Sequence, residues 1–384
     1  MGALVLTTLL GMTSCGDDDD AGLSTLGADG SLRALLATLP ADIESDNEAP
    51  MVYLADFEAA REQLGIEAPG DEAGDDEFVD YLLALTGASE EQGGVPWPEG
   101  LGRDRVYDPG VREEYATQFG ISLSSVDRYA ELAAPPGLVT VLSGEFSRDR
   151  IEDAVESDPT WSDRLENAEY DGTDYWSWLE DGTLNVEQVD GVHPLGEATR
   201  LALVDDWLAR TRTTGDMEAT LAALDGEETL ADDEVLAALA SGLDDGDAVA
   251  GALATNVGGY TVEGLLGDRA TPEAAEQAVQ QTPTLAPYQG VGMGVSFGEG
   301  GVDGALLVVA LQHTEPDAAA DNVDRFRDIV EEGVSVRSGQ PWSERLRVES
   351  IEANGTLLVA RFGIAIPAMW LTIASMPGDL VVHN

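Results

Sequence analysis

The sequence predicts an α+β fold built from two pseudo-repeated halves, with largely antiparallel sheets and intervening helices. The first observation is an internal repeat. "GLVTVLSGEFSRDRIEDAV", from Gly137, and "GALLVVALQHTEPDAAADNV", from Gly304, share one pattern of apolar strand, polar turn and amphipathic helix. The second is a repeated turn. "ENAEYDGT" from Glu166 and "ESIEANGT" from Glu349 are identical at four of eight positions. Each carries an Asp-Gly or Asn-Gly pair suited to the positive-φ positions of a tight hairpin. The third is the spacing of strands, which pair around single helices instead of alternating strictly with them.

In chain order, residues 1–15 read as a signal segment and 16–49 as an acidic tether containing a short helix, Leu32 to Leu39, that stops at Pro40. The aspartates Asp17 to Asp20 and the following "AGLSTLGADGS" hold too few apolar residues to pack, so they read as a solvated spacer. The folded part is expected to begin near Met51, with residues 50–225 as the first half. "MVYLADF" reads as a strand passing into a helix that runs to Leu64, and a second helix covers Phe78 to Leu85. Residues 57–135 read as a helical and loop-rich insertion. Residues 226–384 form the second half, preceded by connecting helices. Met217, Leu221 and Leu224 lie on one helical face; Val235, Leu236, Leu239 and Leu243 lie on another, with Asp232 and Asp233 near its positive N-terminus. Thr271-Pro272 reads as an N-cap followed by Pro at the first helical position. "VGMGVSF" alternates like a strand with one buried face and is matched to "MVYLADF" as the opening strand of its half. Ala319, Val323, Phe326 and Val330 make a helical stripe closed by Gly333. Gly363 to Met376, broken by Pro367, reads as core strand and is too short to span a bilayer.

Charge narrows the function. Seventy-four acidic residues stand against 19 basic ones, a formal charge of -55, and every basic residue is arginine. Such a field repels nucleic acid and anionic headgroups, and it suits solvation in a salty environment. No nucleic-acid partner is expected, and cation binding is expected to be weak and nonspecific. The acidic clusters do not fit the D-x-[DN]-x-[DN]-G-x5-E calcium loop. One cysteine excludes an internal disulfide and Cys-based zinc sites, and His193, His313 and His383 are not spaced as metal ligands, so no metal or cofactor is expected. His313 follows a strand at a turn, where capping or exposure is the ordinary role. "GVSFG", Gly294 to Gly298, satisfies G-x-S-x-G, but no helix follows Ser296 as a nucleophile elbow requires. The densest aromatic cluster is "YWSWL". Strand alternation puts Trp176 and Trp178 together on one face, where they are candidates for stacking on a ligand.

The clearest motif lies at the start of the chain. Ala3 to Leu10 has the length of a signal-peptide apolar region, and Met12, Thr13 and Ser14 lead into Cys15, the sole cysteine. This segment resembles the lipobox of bacterial lipoproteins, and with its acidic Gly-rich tether the chain resembles actinobacterial cell-envelope lipoproteins of unassigned function. The resemblance implies removal of the preceding peptide, lipid attachment at Cys15 and anchoring on the extracytoplasmic face of the cell membrane, where two acyl chains hold a protein stably. The resulting expectation is a non-catalytic binding or envelope-associated module carrying an apolar or carbohydrate ligand between the halves. A carboxylate-dependent secreted hydrolase and a purely structural surface protein are the alternatives.

Overall fold

In the computed structural model, residues 30–43, 50–70, 73–103, 105–108, 110–135, 137–159, 164–187, 189–193, 195–255, 271, 284–335, 340–375 and 382 are described. Cys15, His383 and the helix expected from Pro272 lie outside them. The mixed helices and large antiparallel sheet are those of an α+β protein.

Nine helices are described: α1 (Leu32–Leu36), α2 (Phe57–Leu64), α3 (Asp75–Thr86), α4 (Val111–Gln118), α5 (Arg148–Ser157), α6 (Thr214–Leu224), α7 (Glu234–Asp245), α8 (Pro316–Glu332) and α9 (Met369–Ser375). The strands are β1 (Met51–Asp56), β2 (Val126–Ala134), β3 (Gly137–Gly144), β4 (Leu165–Tyr170), β5 (Thr173–Trp178), β6 (Thr199–Val204), β7 (Trp207–Thr211), β8 (Ala250–Ala254), β9 (Gly290–Ser296), β10 (Leu306–Gln312), β11 (Leu346–Asn354) and β12 (Leu357–Ile364). All twelve join one sheet in the order β11-β12-β10-β9-β8-β1-β2-β3-β7-β6-β5-β4. Helices α1, α6 and α7 cover one face, and α2 to α5, α8 and α9 cover the other.

The two halves meet where β1 and β8 pair antiparallel. Outward from this seam, β1-β2-β3 matches β8-β9-β10, so the counterpart of β1 is β8. The expected match of "MVYLADF" with "VGMGVSF" is corrected by the sheet order, which places the latter as β9, opposite β2. The halves differ at one place. In the second, β12 lies directly beside β10; in the first, the β6–β7 hairpin separates β5 from β3. Two added strands leave the polarity of β5 relative to β3 unchanged, so the repeat tolerates them.

The helices begin where short polar side chains satisfy their free N–H groups. The Asp56 carboxylate accepts from the Ala59 N–H at the start of α2, and Asp233 accepts from Val235 and Leu236 at the start of α7. The stripe of α8 behaves as its spacing predicts: Ala319, Phe326 and Val330 are buried and Val323 is partly buried.

Four boundaries differ from the expectation. The folded part extends N-terminal of Met51: Leu32, Leu35, Leu36 and Leu39 of the short first helical stretch are buried against β1 and α7. The insertion ends at residue 125, because residues 126–134 form β2. Of the stretch expected as core strand, Gly363 to Ser375 divides between the end of β12 and α9, with Pro367 in the turn between them. The second hairpin turns on Gly355–Thr356, one residue later than Asn-Gly, because β11 and β12 pair with Asn354 opposite Leu357, and β11 carries a bulge near Val348. Asp171 and Gly172 both take positive φ as expected, whereas in the second turn only Gly355 does. No helix among the described residues is long and apolar enough to cross a membrane.

The approach to α8 is fixed by one polar cluster. Asn322 of α8 accepts the Ala286 N–H through Oδ1 at 2.6 Å and donates from Nδ2 to the Ala286 carbonyl at 2.9 Å. Both ends of the amide are thereby oriented. The second Nδ2 hydrogen points to His313 Nε2 at 2.8 Å, so that nitrogen is the acceptor and Nδ1, 3.2 Å from the Thr356 carbonyl, carries the proton. His313 is thus a buried, neutral core histidine, in place of the expected exposed or capping residue. Burial pushes its pKa below 6.5 against the opposing pull of the Thr356 carbonyl. A depressed histidine contributes stability that is complete above the unfolded pKa and is lost as pH falls through it. Asn322→Ala should cost about 2–4 kcal/mol by stranding buried polar groups. Urea denaturation should also show wild-type stability declining below about pH 6.5, a decline weakened in His313→Asn.

Candidate functional site

Register brings four polar residues side by side in the middle of the sheet. Tyr53 of β1 pairs with Glu131 of β2, Glu131 with Thr140 of β3, and Thr140 with Arg210 of β7. The row continues as Leu201 and Trp176 in one direction and as Ala252, Met293, Val309 and Ala360 in the other. Cross-strand neighbours lie about 4.5–5.5 Å apart, so this is a polar segment inside an otherwise apolar line.

A loop of the insertion, residues 95–103, lies over that segment. Its 3-10 turn, Glu99–Leu101, starts with N–H groups that need acceptors. Glu131 supplies them: it accepts from the Glu99 N–H at 3.0 Å, the Gly100 N–H at 2.9 Å, Arg103 Nη2 at 3.1 Å and the Thr140 hydroxyl at 3.0 Å. The side chain is fully buried. Burial raises its pKa, opposed by Arg103 and the donated N–H groups. Arg210 holds the same loop from its other polarity. It donates to the Gly100 carbonyl, to the Val192 carbonyl at 2.6 Å and to the Tyr115 hydroxyl at 3.4 Å, and lies 5.1 Å from the Phe119 ring centroid. It makes no ion pair among the described residues.

Gly100 is therefore clamped at both its N–H and its C=O, directly above Thr140. A Cβ there would stand 2.1 Å from Thr140 Oγ1, which is why glycine occupies this position.

The outer side of the clamp is a cleft of about 380 Å³ lined by Arg103, Arg105, Arg210 and Arg212 together with Glu99 and Glu197. Arg212 Nε lies 2.9 Å from Glu197 and its Nη2 3.4 Å from Glu99, so one guanidinium engages both cleft carboxylates. Arg105 donates to the Asp190 carbonyl at 2.6 Å and pairs with Asp108 at 3.3 Å. Arg103 also lies 5.0 Å over the Tyr53 ring, forming a wall shared with a smaller aromatic cleft of about 270 Å³ near the seam, between Trp97, Tyr107 and Leu371 of α9.

Behind Arg105, Asp190 accepts the N–H groups of Val192 at 2.9 Å and His193 at 2.6 Å and receives Gln118 Nε2 at 3.2 Å. Burial works against its charge, but the His193 imidazole and these N–H donors hold its pKa down to about 2. His193 is buried between Trp178 and Phe119, and burial lowers its pKa.

The expected stacking pair is corrected here. Trp176 and Trp178 do share a face, but they are 6 % and 0 % exposed beneath the helical layer, while Tyr175 packs on the opposite face. The strand is covered on both sides, so neither tryptophan can meet a ligand. Ser296 is buried in β9, and a 3-10 turn, Gly298–Gly304, separates it from β10. No group of three metal-ligating side chains converges among the described residues.

Glu131 and Arg210 escaped the sequence reading, although each left a trace: a single acid inside the apolar run "YAELAA" and an arginine inside "WLART". No protein-family model and no curated protein matches the chain. A solved structure titled "Structure of crystal form I of TP0453" aligns at a TM-score of 0.37 and 9 % identity, over 89 % of this chain and 97 % of that one.

Glu131→Gln should destabilise the protein by about 2–4 kcal/mol, because an amide N–H would replace an acceptor in a nest of donors. Gly100→Ala should cost about 1–3 kcal/mol by overpacking against Thr140. Urea denaturation measures both; two neutral substitutions would dissolve the clamp.

Proposed function

We propose that the chain is a lipid-anchored, extracytoplasmic, non-catalytic binding module of the bacterial cell envelope, with the arginine-lined cleft as its ligand site. The observation that carries this reading is the convergence of four of the 19 arginines on one cleft in a chain of net charge -55. Elsewhere the field repels anions; here planar guanidinium donors gather on a preorganised frame. The frame is held by buried hydrogen bonds on strands, which favours a rigid recognition site.

Binding is favoured over carboxylate-dependent hydrolysis by the state of the cleft acids. Hydrolysis of that kind needs one carboxyl group free to donate a proton and another free to attack or activate water. Glu99 and Glu197 are both engaged by Arg212. The ligand site also lies within the first half, away from the seam where a ligand between the halves would sit. The anchor rests on the lipobox-like "MTSC" ending at Cys15.

The test is mass spectrometry of the protein from its native envelope, intact and as peptides, with native spectra of the protein released from its anchor. A diacylglyceryl adduct on Cys15 is expected, together with a small molecule that copurifies with wild type and is lost from Arg212→Gln. An unmodified Cys15 would remove the anchor, and a ligand retained by the variant would remove the cleft from the proposal.

A further inference from the structure

The loop between β5 and β6 exposes apolar side chains beside the cleft. Leu184, Val186, Val189 and Leu195 are 61 %, 76 %, 48 % and 60 % exposed, half of the eight large exposed hydrophobic residues among the described ones. Single exposed leucines are ordinary, but four gathered in twelve residues form a patch that calls for an occupant.

The described residues of this loop are tied at its base, arms and tip. At its base Leu179 takes a φ of 65°, a left-handed conformation that a branched side chain adopts only when its surroundings enforce it. Arg200 does so by donating to the Trp178 carbonyl at 3.1 Å and to Asp181, which also receives the Thr214 N–H at 3.0 Å. The arms are joined by Asn185 N–H to the Gly196 carbonyl at 2.6 Å and Ala198 N–H to the Thr183 carbonyl at 3.3 Å. The tip, Val192 and His193, is plugged into the core. The apolar groups are thus displayed on a fixed support, and Leu195 itself lines the arginine cleft.

An exposed apolar stretch that reaches the guanidinium cleft through Leu195 selects a ligand with both characters. We propose that loop and cleft together bind one molecule of an anionic amphiphile, its phosphate-type headgroup on Arg105, Arg210 and Arg212 and its hydrocarbon chain along Leu195, Val186 and Val189. Arg210, a buried cation without an ion pair among the described residues, gives the headgroup its electrostatic partner. The net charge of -55 argues against docking on an anionic bilayer, because the whole surface is repelled while a single small anion meets only the local field of the cleft. This inference rests on the cleft being a ligand site.

Isothermal titration of the delipidated protein tests it, at about 0.15 M salt, with dodecyl phosphate below its micelle concentration, dodecyl maltoside, inorganic phosphate and phosphatidylglycerol vesicles as probes. Dodecyl phosphate should bind at least about tenfold more tightly than either the uncharged detergent or inorganic phosphate. Val186→Ser with Val189→Ser should weaken dodecyl phosphate by about tenfold and leave inorganic phosphate unchanged; the substituted side chains are exposed and do not line the cleft, and a circular dichroism melt confirms the fold. Equal binding of dodecyl phosphate and inorganic phosphate would overturn the amphiphile while leaving an anion-binding cleft. Binding to vesicles without binding to monomeric dodecyl phosphate would overturn the single-molecule site. No binding of any probe would overturn this inference, whereas copurification of a ligand lacking an alkyl chain would do so and leave the binding module intact.

Discussion

One buried carboxylate organises the first half of this protein. Glu131 has no exposure, and an acid in that position costs several kcal/mol unless its oxygens are fully engaged. Its four donors come from the start of a 3-10 turn, from Arg103 and from Thr140, so satisfying the charge and closing the loop over the sheet are one event. Arg210, two strands away, donates to the carbonyl of the same residue, Gly100, whose N–H Glu131 accepts. The cleft arginines take their positions from this arrangement: Arg103 pairs with Glu131 directly, and Arg210 and Arg212 leave the same hairpin strand and its end.

The clamp exists where the internal repeat is broken. At the sheet positions equivalent to Tyr53, Glu131 and Thr140, the second half places Ala252, Met293 and Val309, all apolar. Arg210 belongs to the β6–β7 hairpin, which has no counterpart between β10 and β12. The covering loop lies in the insertion between β1 and β2. At these positions one half of the repeat keeps an apolar row, and the other carries a polar row, an added hairpin and an added loop. Function on a duplicated scaffold is read most directly from the features that the copies do not share.

Much of the scaffold was legible in the sequence, because local rules govern it. The repeated strand–helix units, the stripe of α8, the acidic start of α7 at Asp232 and Asp233, and the Asp171-Gly172 turn each depend on residues close together in the chain. The second hairpin escaped by one residue, since its turn is set by the register in which β11 and β12 pair, with Asn354 opposite Leu357. The helix at Leu32 to Leu36 was legible, but its burial was not: five residues carry little pattern, and their apolar face matters only through β1 and α7. The polar row was the least accessible feature. Its members are spread from residue 53 to residue 210 and become neighbours only through strand order and register. Alternation correctly placed Trp176 with Trp178, but could not say that helices cover both faces of β5.

The central claim is that the Glu131 carboxylate holds the 95–103 loop on the sheet, and amide hydrogen exchange at Glu99 and Gly100 tests it most directly. In the wild-type protein both N–H groups should exchange as slowly as the neighbouring core strands, and in Glu131→Gln both should become fast while amides of β10 in the second half stay protected. Fast exchange of Glu99 and Gly100 in the wild-type protein would contradict the account, because the loop would then be closed by something other than this carboxylate.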